Sequence, residues 1–198
     1  MYRPRLIPVL LLHNLGLVKS TKFTKNRYIG DPINAVKIFN DLEADELIFL
    51  DISATANKRE PNFELISDIA SEAFMPFGYG GGISTLAHIE KLFSLGVEKS
   101  IINSAAFYTP ELISEASRMA GSQSIVVSID YKKNCFAQYE VMVENGSKRT
   151  KLNPVDYAKK MQDLGAGELI VNAIDREGTA KGYNIELLEK VASSVDIP

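Results

Sequence analysis

The sequence predicts an α/β fold of the eight-stranded (β/α) barrel class, and three observations predict it. Short apolar segments alternate six times with amphipathic segments of helical period, which is typical of a parallel sheet. The segment ending at Asp51 resembles the segment ending at Asp175, which indicates two similar halves. A barrel of this class normally needs about 250 residues, so we expect the 198 residues to lack about the last two βα units.

The strands are predicted from short β-type apolar runs, and the helices from apolar residues on one face. Pro32, Thr85 and Pro154 each favour the first turn of the helix that they open. In chain order the predicted strands are residues 6–12, 47–51, 75–79, 100–102, 124–130 and 169–173. The predicted helices are residues 32–41, 62–73, 85–95, 110–120, 154–164 and 184–195.

One β-hairpin interrupts the alternation after the fifth strand. Residues 137–143 and 147–152 have the pattern of two strands joined by Asn145-Gly146, a pair typical of a tight turn. We interpret the hairpin as an insertion in a βα loop, so that residues 1–198 form one barrel domain. A doubly wound open sheet is the alternative, but the half-repeat favours the barrel and no strand is followed by a Gly-x-Gly-x-x-Gly turn.

The composition argues against several functional classes. The formal charge is −3 and no Lys/Arg block occurs, so nucleic acid and an anionic membrane are not expected as partners. Cys135 has no second cysteine to pair with, and His13 and His88 are too isolated to complete a zinc site. We expect a cytoplasmic protein without a metal or cofactor, and we expect the chain to continue beyond Pro198 into a seventh strand.

In a (β/α) barrel the active site lies at the carboxyl ends of the strands. Gly80, Gly81 and Gly82 follow the third predicted strand, and Asn103 and Ser104 follow the fourth. Glycine N–H groups and a helix N-terminus both favour anions, so these two turns together predict a site for a phosphorylated small molecule. The alternative is a tight turn at the glycines and a helix cap at Asn103.

Asp130 and Asp175 each follow an apolar strand, where burial can raise the pKa of a carboxyl and suit it to acid or base catalysis. The alternative is an aspartate that caps the following turn. Lys19 lies in a glycine-containing loop and is expected to reach the same mouth as a cation, unless it is only solvated. The residues expected to bind substrate or phosphate are Lys19, Asp51, Gly81, Gly82, Asn103, Ser104, Asp175, Gly178 and Thr179.

At the opposite mouth of the predicted barrel, four charged residues stand just before their strands. They are Arg5, Glu46, Lys99 and Glu168. Two cations and two anions at equivalent positions could pair into a closed ring that gates the barrel interior. The alternative is a set of ordinary surface pairs.

Over residues 5–198 the sequence resembles the cyclase subunit of imidazole glycerol phosphate synthase. The resemblance implies a (β/α)8 barrel with a ribulose-phosphate ligand at the top and a glutaminase that docks at the bottom and delivers ammonia through the barrel. It also implies that Asp130 is one of two catalytic aspartates, that the other position is Leu11, and that the four charges form the ammonia gate. The motifs that carry it are Val18-Lys19, Gly30-Asp31-Pro32, Phe49-Leu50-Asp51-Ile52, Tyr79-Gly80-Gly81-Gly82-Ile83, Ile102-Asn103-Ser104-Ala105-Ala106, Ser128-Ile129-Asp130 and Ile174-Asp175-Arg176-Glu177-Gly178-Thr179.

Other segments resemble the branch of this family found in surface-polysaccharide and nonulosonic-sugar clusters, the acetamidino-modification proteins. These segments are Leu10-Leu11-Leu12, Lys22-Phe23, Gly30-Asp31-Pro32-Ile33-Asn34-Ala35, Glu60-Pro61-Asn62 and Phe74-Met75-Pro76. The resemblance implies a glutaminase and a sugar amidotransferase as partners, which convert an N-acetyl group to an acetamidino group with ammonia from glutamine. Three hypotheses stay open: an ammonia-relay subunit, a working cyclase of histidine biosynthesis, and an inert barrel used as a scaffold.

Overall fold

The structure is a computed structural model that describes residues 5–198. The chain divides into two compact units. The first comprises the chain up to Lys19 together with Arg27–Ile101, and the second comprises Ser20–Asn26 together with Ile102–Pro198. Each unit has its own strands, helices and buried apolar side chains.

The first unit is a run of parallel strands connected by helices, with a hairpin after its first strand. In chain order the elements that lie wholly or mainly in it are β1 (Val9–His13), β2 (Gly16–Thr21), β3 (Lys25–Gly30), α1 (Pro32–Asp41), β4 (Leu47–Asp51), α2 (Phe63–Glu72), β5 (Phe77–Gly80), α3 (Leu86–Ser94) and β6 (Lys99–Ile102). β1 pairs in parallel with β4, β4 with β5, and β5 with β6. β2 returns antiparallel on β1, so that Leu11 lies between Val18 and Leu50.

Side-chain caps set the start of each helix in the first unit. Asp31, Asn62 and Thr85 each accept the backbone N–H three residues further on, which satisfies a donor that the first helical turn leaves open. Five apolar side chains on one face of these helices are fully buried, and they are Val36, Ile66, Ile69, Ile89 and Leu92. The buried face of each helix packs the helix in one position. This position determines where the neighbouring strand ends, and therefore where the last side chain of that strand lies.

The second unit combines a parallel pair of strands with an antiparallel hairpin. Its elements are α4 (Ser104–Tyr108), α5 (Glu111–Ala120), a short 3₁₀ turn (Ser122–Ser124), β7 (Ile125–Lys133), β8 (Tyr139–Val143), β9 (Lys148–Arg149), α6 (Pro154–Asp163), β10 (Glu168–Ala173) and α7 (Ile185–Ala192). β10 pairs in parallel with β7. β8 pairs antiparallel with β7, and β9 with β8.

The predicted α/β class is confirmed, and each predicted strand and helix is present within a few residues of its predicted bounds. The first strand begins at Val9 rather than at residue 6, because Leu6 is 80% exposed and Pro8 has no N–H to donate to a neighbouring strand. The predicted hairpin is also present, although its second strand, β9, has only two residues. Its turn holds Glu144, Asn145 and Gly146 in the left-handed region.

Two elements were not predicted. The first is the hairpin of β2 and β3, which the sequence analysis treated as a loop; Lys25–Ile29 are all exposed, so β3 has no alternating buried face to reveal it. The second is α4, whose five residues are too few to show a helical period. The placement of Lys19 in a loop was therefore wrong, since Lys19 is an exposed residue of β2.

None of the helices between residues 5 and 198 is long and apolar enough to cross a membrane. Across the same residues, no group of three or more His, Cys, Asp and Glu side chains is arranged to hold a metal ion.

Candidate functional site

Asp51, the last residue of β4, is buried and organises the turn that follows it. Its Oδ1 atom accepts hydrogen bonds from the backbone N–H of Ser53 at 2.8 Å, the Ser53 hydroxyl at 2.7 Å and the Ala54 N–H at 3.0 Å. Donors that converge on one carboxylate oxygen stabilise the charged form and fix the turn. The structure thus gives Asp51 the capping role, and a role in ligand binding stays a prediction.

Ser53 extends this network to the end of β1. Its Oγ atom accepts a hydrogen bond from Arg59 Nη2 at 2.8 Å and from the Asn14 N–H at 3.1 Å. The loop of residues 52–60 is thereby tied to Asp51 on one side and to the residue after β1 on the other. The sequence analysis singled out neither Ser53 nor Arg59; the Asp-x-Ser spacing of Asp51 and Ser53 was the available signal.

Gly81 and Gly82 follow β5 with φ angles of +117° and +71°. A Cβ atom on Gly81 would lie 2.4 Å from the carbonyl oxygen of Asp51, and one on Gly82 would lie 2.6 Å from that of Arg59. Both positions therefore require glycine, because Asp51 packs directly against Gly81 and the loop of residues 52–60 packs directly against Gly82. The Gly82 N–H already faces the hydroxyl of Thr55 at 3.5 Å, and phosphate binding at these glycines stays a prediction.

Asp130 lies on β7 in the second unit and is 8% exposed. Asn172 of β10 stands opposite it in the parallel register. The Asn103 side chain donates from Nδ2 to the backbone oxygen of Ser128 at 2.9 Å and to Asp130 Oδ2 at 3.3 Å. The sequence analysis did not include Asn172 among the site residues, although a polar residue within the apolar run of β10 could have indicated a functional position.

Burial raises the pKa of Asp130 to about 7. The hydrogen bond to the Asn172 side chain lowers this pKa, and the negative charge of Glu177 raises it further, but both effects are smaller than that of burial. A carboxyl with a pKa near the working pH can both donate and accept a proton. Asp130 therefore has a pKa that suits proton transfer, and its catalytic role stays a prediction.

The remaining candidate site residues lie in the loop that follows β10, where they make contacts within the loop and with neighbouring strands. Asp175 Oδ2 accepts the N–H of Lys133 at 3.1 Å, and the Thr179 hydroxyl donates to the carbonyl of Arg176 at 2.7 Å. Gly178 has a φ angle of +66°, and a Cβ there would lie 2.1 Å from the carbonyl oxygen of Ser20. These contacts are structural, and the binding of phosphate or substrate by Asp175, Gly178 and Thr179 stays a prediction.

Three of the four predicted gate residues meet in the first unit. Glu46 stands just before β4, is 3% exposed, and lies 2.9 Å from both Lys99 Nζ and Arg5 Nη1. The side chain of Lys99 is 14% exposed and that of Arg5 is 48% exposed, so the Lys99 contact is the more shielded from water. Glu168, the fourth residue, is the first residue of β10 in the second unit.

Comparison with known proteins matches residues 5–198 to the family model described as "Histidine biosynthesis protein". The chain belongs to this family. In Pseudomonas aeruginosa, a protein provisionally named imidazole glycerol phosphate synthase subunit hisF2 is 50% identical over the whole chain and 79% of its own length. The provisionally named HisF of Leptospira borgpetersenii is 52% identical over the whole chain and 78% of its length, and hisF3 of Vibrio vulnificus is 46% identical over the whole chain and 76% of its length.

The family assignment confirms the barrel class that the βα alternation predicted and makes this a HisF-like protein. The open-sheet alternative is thereby set aside. Leu11 stands in the middle of β1, opposite Leu50 and Val18. Within the first unit, the position where the resemblance implies a catalytic aspartate is thus occupied by an aliphatic side chain between aliphatic neighbours.

We expect Gly81→Ala to lower the free energy of unfolding by roughly 2 to 4 kcal/mol. The added methyl group would collide with the Asp51 carbonyl in addition to the cost of a positive φ. Gly182→Ala is the matched control, because Gly182 has a φ of +70° with no atom within 4 Å of the added Cβ. Urea denaturation measures both; an equal loss in the two variants would contradict the packing argument.

We expect Asp130→Asn to be more stable than wild type at pH 8 and to lose that advantage toward pH 4. The folded protein holds the Asp130 proton to about pH 7 whereas the ordinary value is 3.8, so rising pH between these values favours the unfolded state. The gain at pH 8 is on the order of 2 to 4 kcal/mol. Unfolding curves at pH 5 and pH 8 measure it, with Asp163→Asn, an exposed carboxylate of the same unit, as control; a gain independent of pH contradicts it.

Proposed function

We propose that this HisF-like protein is the barrel subunit of a glutamine amidotransferase system. In this proposal it relays ammonia from a HisH-like glutaminase for the acetamidino modification of a surface-polysaccharide or nonulosonic sugar. The proposal rests on the contrast between two positions in the first unit, the charge cluster and Leu11. The buried charge cluster of Glu46 and Lys99 is intact, whereas Leu11 stands where the cyclase chemistry needs a second proton-transferring group.

The charge cluster supports the relay because it is built as a fixed element. A carboxylate that is 3% exposed is stable only when its charge is compensated, and two cations at 2.9 Å compensate that of Glu46. Such a cluster holds its side chains in one arrangement, which a gate over a narrow passage requires. We propose that the glutaminase docks where the half-exposed side chain of Arg5 brings this cluster to the surface of the first unit.

Asp130, in the second unit, supports a proton-handling step. Ammonia reacts as a nucleophile only when neutral, and a buried carboxyl with a pKa of about 7 can take up or return a proton as ammonia is passed on. In the first unit, the exposed Lys19 is the residue that we propose for a phosphorylated ligand. A sugar amidotransferase would then take the ammonia to the N-acetyl group.

A working imidazole glycerol phosphate cyclase is the second candidate function. The names of the relatives and the buried Asp130 favour it. Against it, Leu11 cannot donate or accept a proton, and the loss of one member of an acid/base pair costs about two to four powers of ten in rate. The two functions therefore differ in what Leu11 and Lys99 contribute, which gives two separate tests.

The relay is tested by the ratio of glutamine hydrolysed to acetamidino product formed, using the full-length barrel with its glutaminase and sugar amidotransferase. We expect a ratio near one in wild type and a several-fold higher ratio in Lys99→Met, because the gate opens and ammonia escapes. Lys37→Met is the control, since Lys37 is an exposed lysine of the first unit whose contact to Glu72 is 3.7 Å long. Equal ratios in the two variants, with both folded by circular dichroism, would refute the relay.

The cyclase alternative is tested with the ribulose-phosphate substrate and ammonium. We expect wild-type turnover at least about a hundredfold below the 1 to 10³ per second usual for enzymes. We expect Leu11→Asp to raise turnover by restoring a second carboxyl, whereas Leu10→Asp, one position along the same strand, should not. Wild-type turnover already in the usual range would make the cyclase the function.

A further inference from the structure

The turn of the hairpin between β8 and β9 is joined to Asp130 by a chain of hydrogen bonds. The Glu144 N–H donates to Ser104 Oγ at 3.0 Å, and the Ser104 hydroxyl donates to Asn103 Oδ1 at 3.1 Å. Asn103 Nδ2 in turn donates to Asp130 Oδ2 at 3.3 Å. Residues from three separate parts of the sequence thus form one path in the second unit, and the side chains of Ser104 and Asn103 each both donate and accept within it.

The direction of each bond in this path follows from chemistry. The backbone oxygen of Ser128 can only accept, so the end of the Asn103 amide that faces it at 2.9 Å is the NH₂ group. The amide oxygen of Asn103 therefore faces Ser104, and this oxygen can only accept. The Glu144 N–H can only donate, which leaves the single hydroxyl proton of Ser104 to Asn103. A hydroxyl at position 104 is needed to satisfy both neighbours.

The hairpin turn offers Ser104 a fixed partner. Glu144, Asn145 and Gly146 are all left-handed, and the Glu144 carbonyl accepts from both the N–H and the hydroxyl of Ser147. Gly146 lies so close to Ile174 that a Cβ would be 2.9 Å from its Cδ1 atom. The contacts with Ser147 and Ile174 therefore fix the turn independently of its contact with Ser104.

We propose that Ser104 is a positioning residue, which holds the Asn103 amide against Asp130 by anchoring it to the turn of the inserted hairpin. In this assignment the inserted hairpin is part of the proton-handling site, and Ser104 acts on Asp130 through Asn103. The inference rests on the proposed role of Asp130 in proton transfer.

The surroundings of Asp130 make the effect of Asn103 measurable. Asn172 of β10 faces it as a neutral amide, Met142 of β8 stands opposite it as an apolar group, and Glu177 is the charged group that acts on it from the loop after β10. Asn103 donates to the charged form of the carboxyl, so a loosened Asn103 should favour the protonated form.

The experiment is a pH titration of the substrate-free protein followed by nuclear magnetic resonance, observing the Asp130 carboxyl carbon and the Glu144 amide. In wild type we expect both signals to change with one common midpoint near pH 7. In Ser104→Ala we expect the Asp130 midpoint to rise by about half to one pH unit and the Glu144 signal to stop following it. Ser104→Thr, which keeps the hydroxyl, should restore both.

Thr150→Ala is the control for general loosening of the hairpin, because the Thr150 hydroxyl donates to the Val141 carbonyl and has no part in the path. It should leave the Asp130 midpoint unchanged; a shift equal to that of Ser104→Ala would overturn the proposal. If Ser104→Ala does not fold, Asp130→Asn provides the test, because the proposal requires this variant to abolish the titration of the Glu144 amide near pH 7. A Glu144 signal that still titrates there overturns the proposal. The experiment measures no turnover, so its failure would not count against the ammonia relay.

Discussion

A buried carboxyl group needs hydrogen-bond donors, cations or its own proton to offset the loss of contact with water. At Asp51, three donors converge on one oxygen and hold the turn that follows β4. At Asp130, burial raises the pKa to about 7, so this carboxyl keeps its proton more readily than an exposed aspartate does.

Glu46 shows a third way to compensate a buried carboxylate. Its charge is balanced by the side chains of Lys99 and Arg5 rather than by backbone donors or a proton. The three arrangements suit different roles: Asp51 holds a turn, Asp130 can exchange a proton, and Glu46 joins two cationic side chains. The relay proposal depends on the last two.

The sequence predicted the end of β4 at Asp51 because an apolar run stops at a polar residue there, but β7 continues past Asp130 to Lys133, where it pairs with β8. It could not tell which aspartate caps a turn and which is only buried, since that difference depends on partners such as Asn103, distant in the chain. The strand β3 escaped prediction because its residues from Lys25 to Ile29 are all exposed. The constraint on Gly81 was equally invisible, because the clashing carbonyl belongs to Asp51, thirty positions earlier.

The pKa of Asp130 also determines what a sample of this protein contains. At pH 7 an aspartate with the ordinary value of 3.8 is protonated in fewer than about one molecule in a thousand, whereas Asp130, at about 7, is protonated in about one molecule in two. The protein is then a mixture of two chemical species in comparable amounts. Both forms of Asp130 are therefore present near neutral pH, so burial allows this single carboxyl either to donate or to accept a proton there.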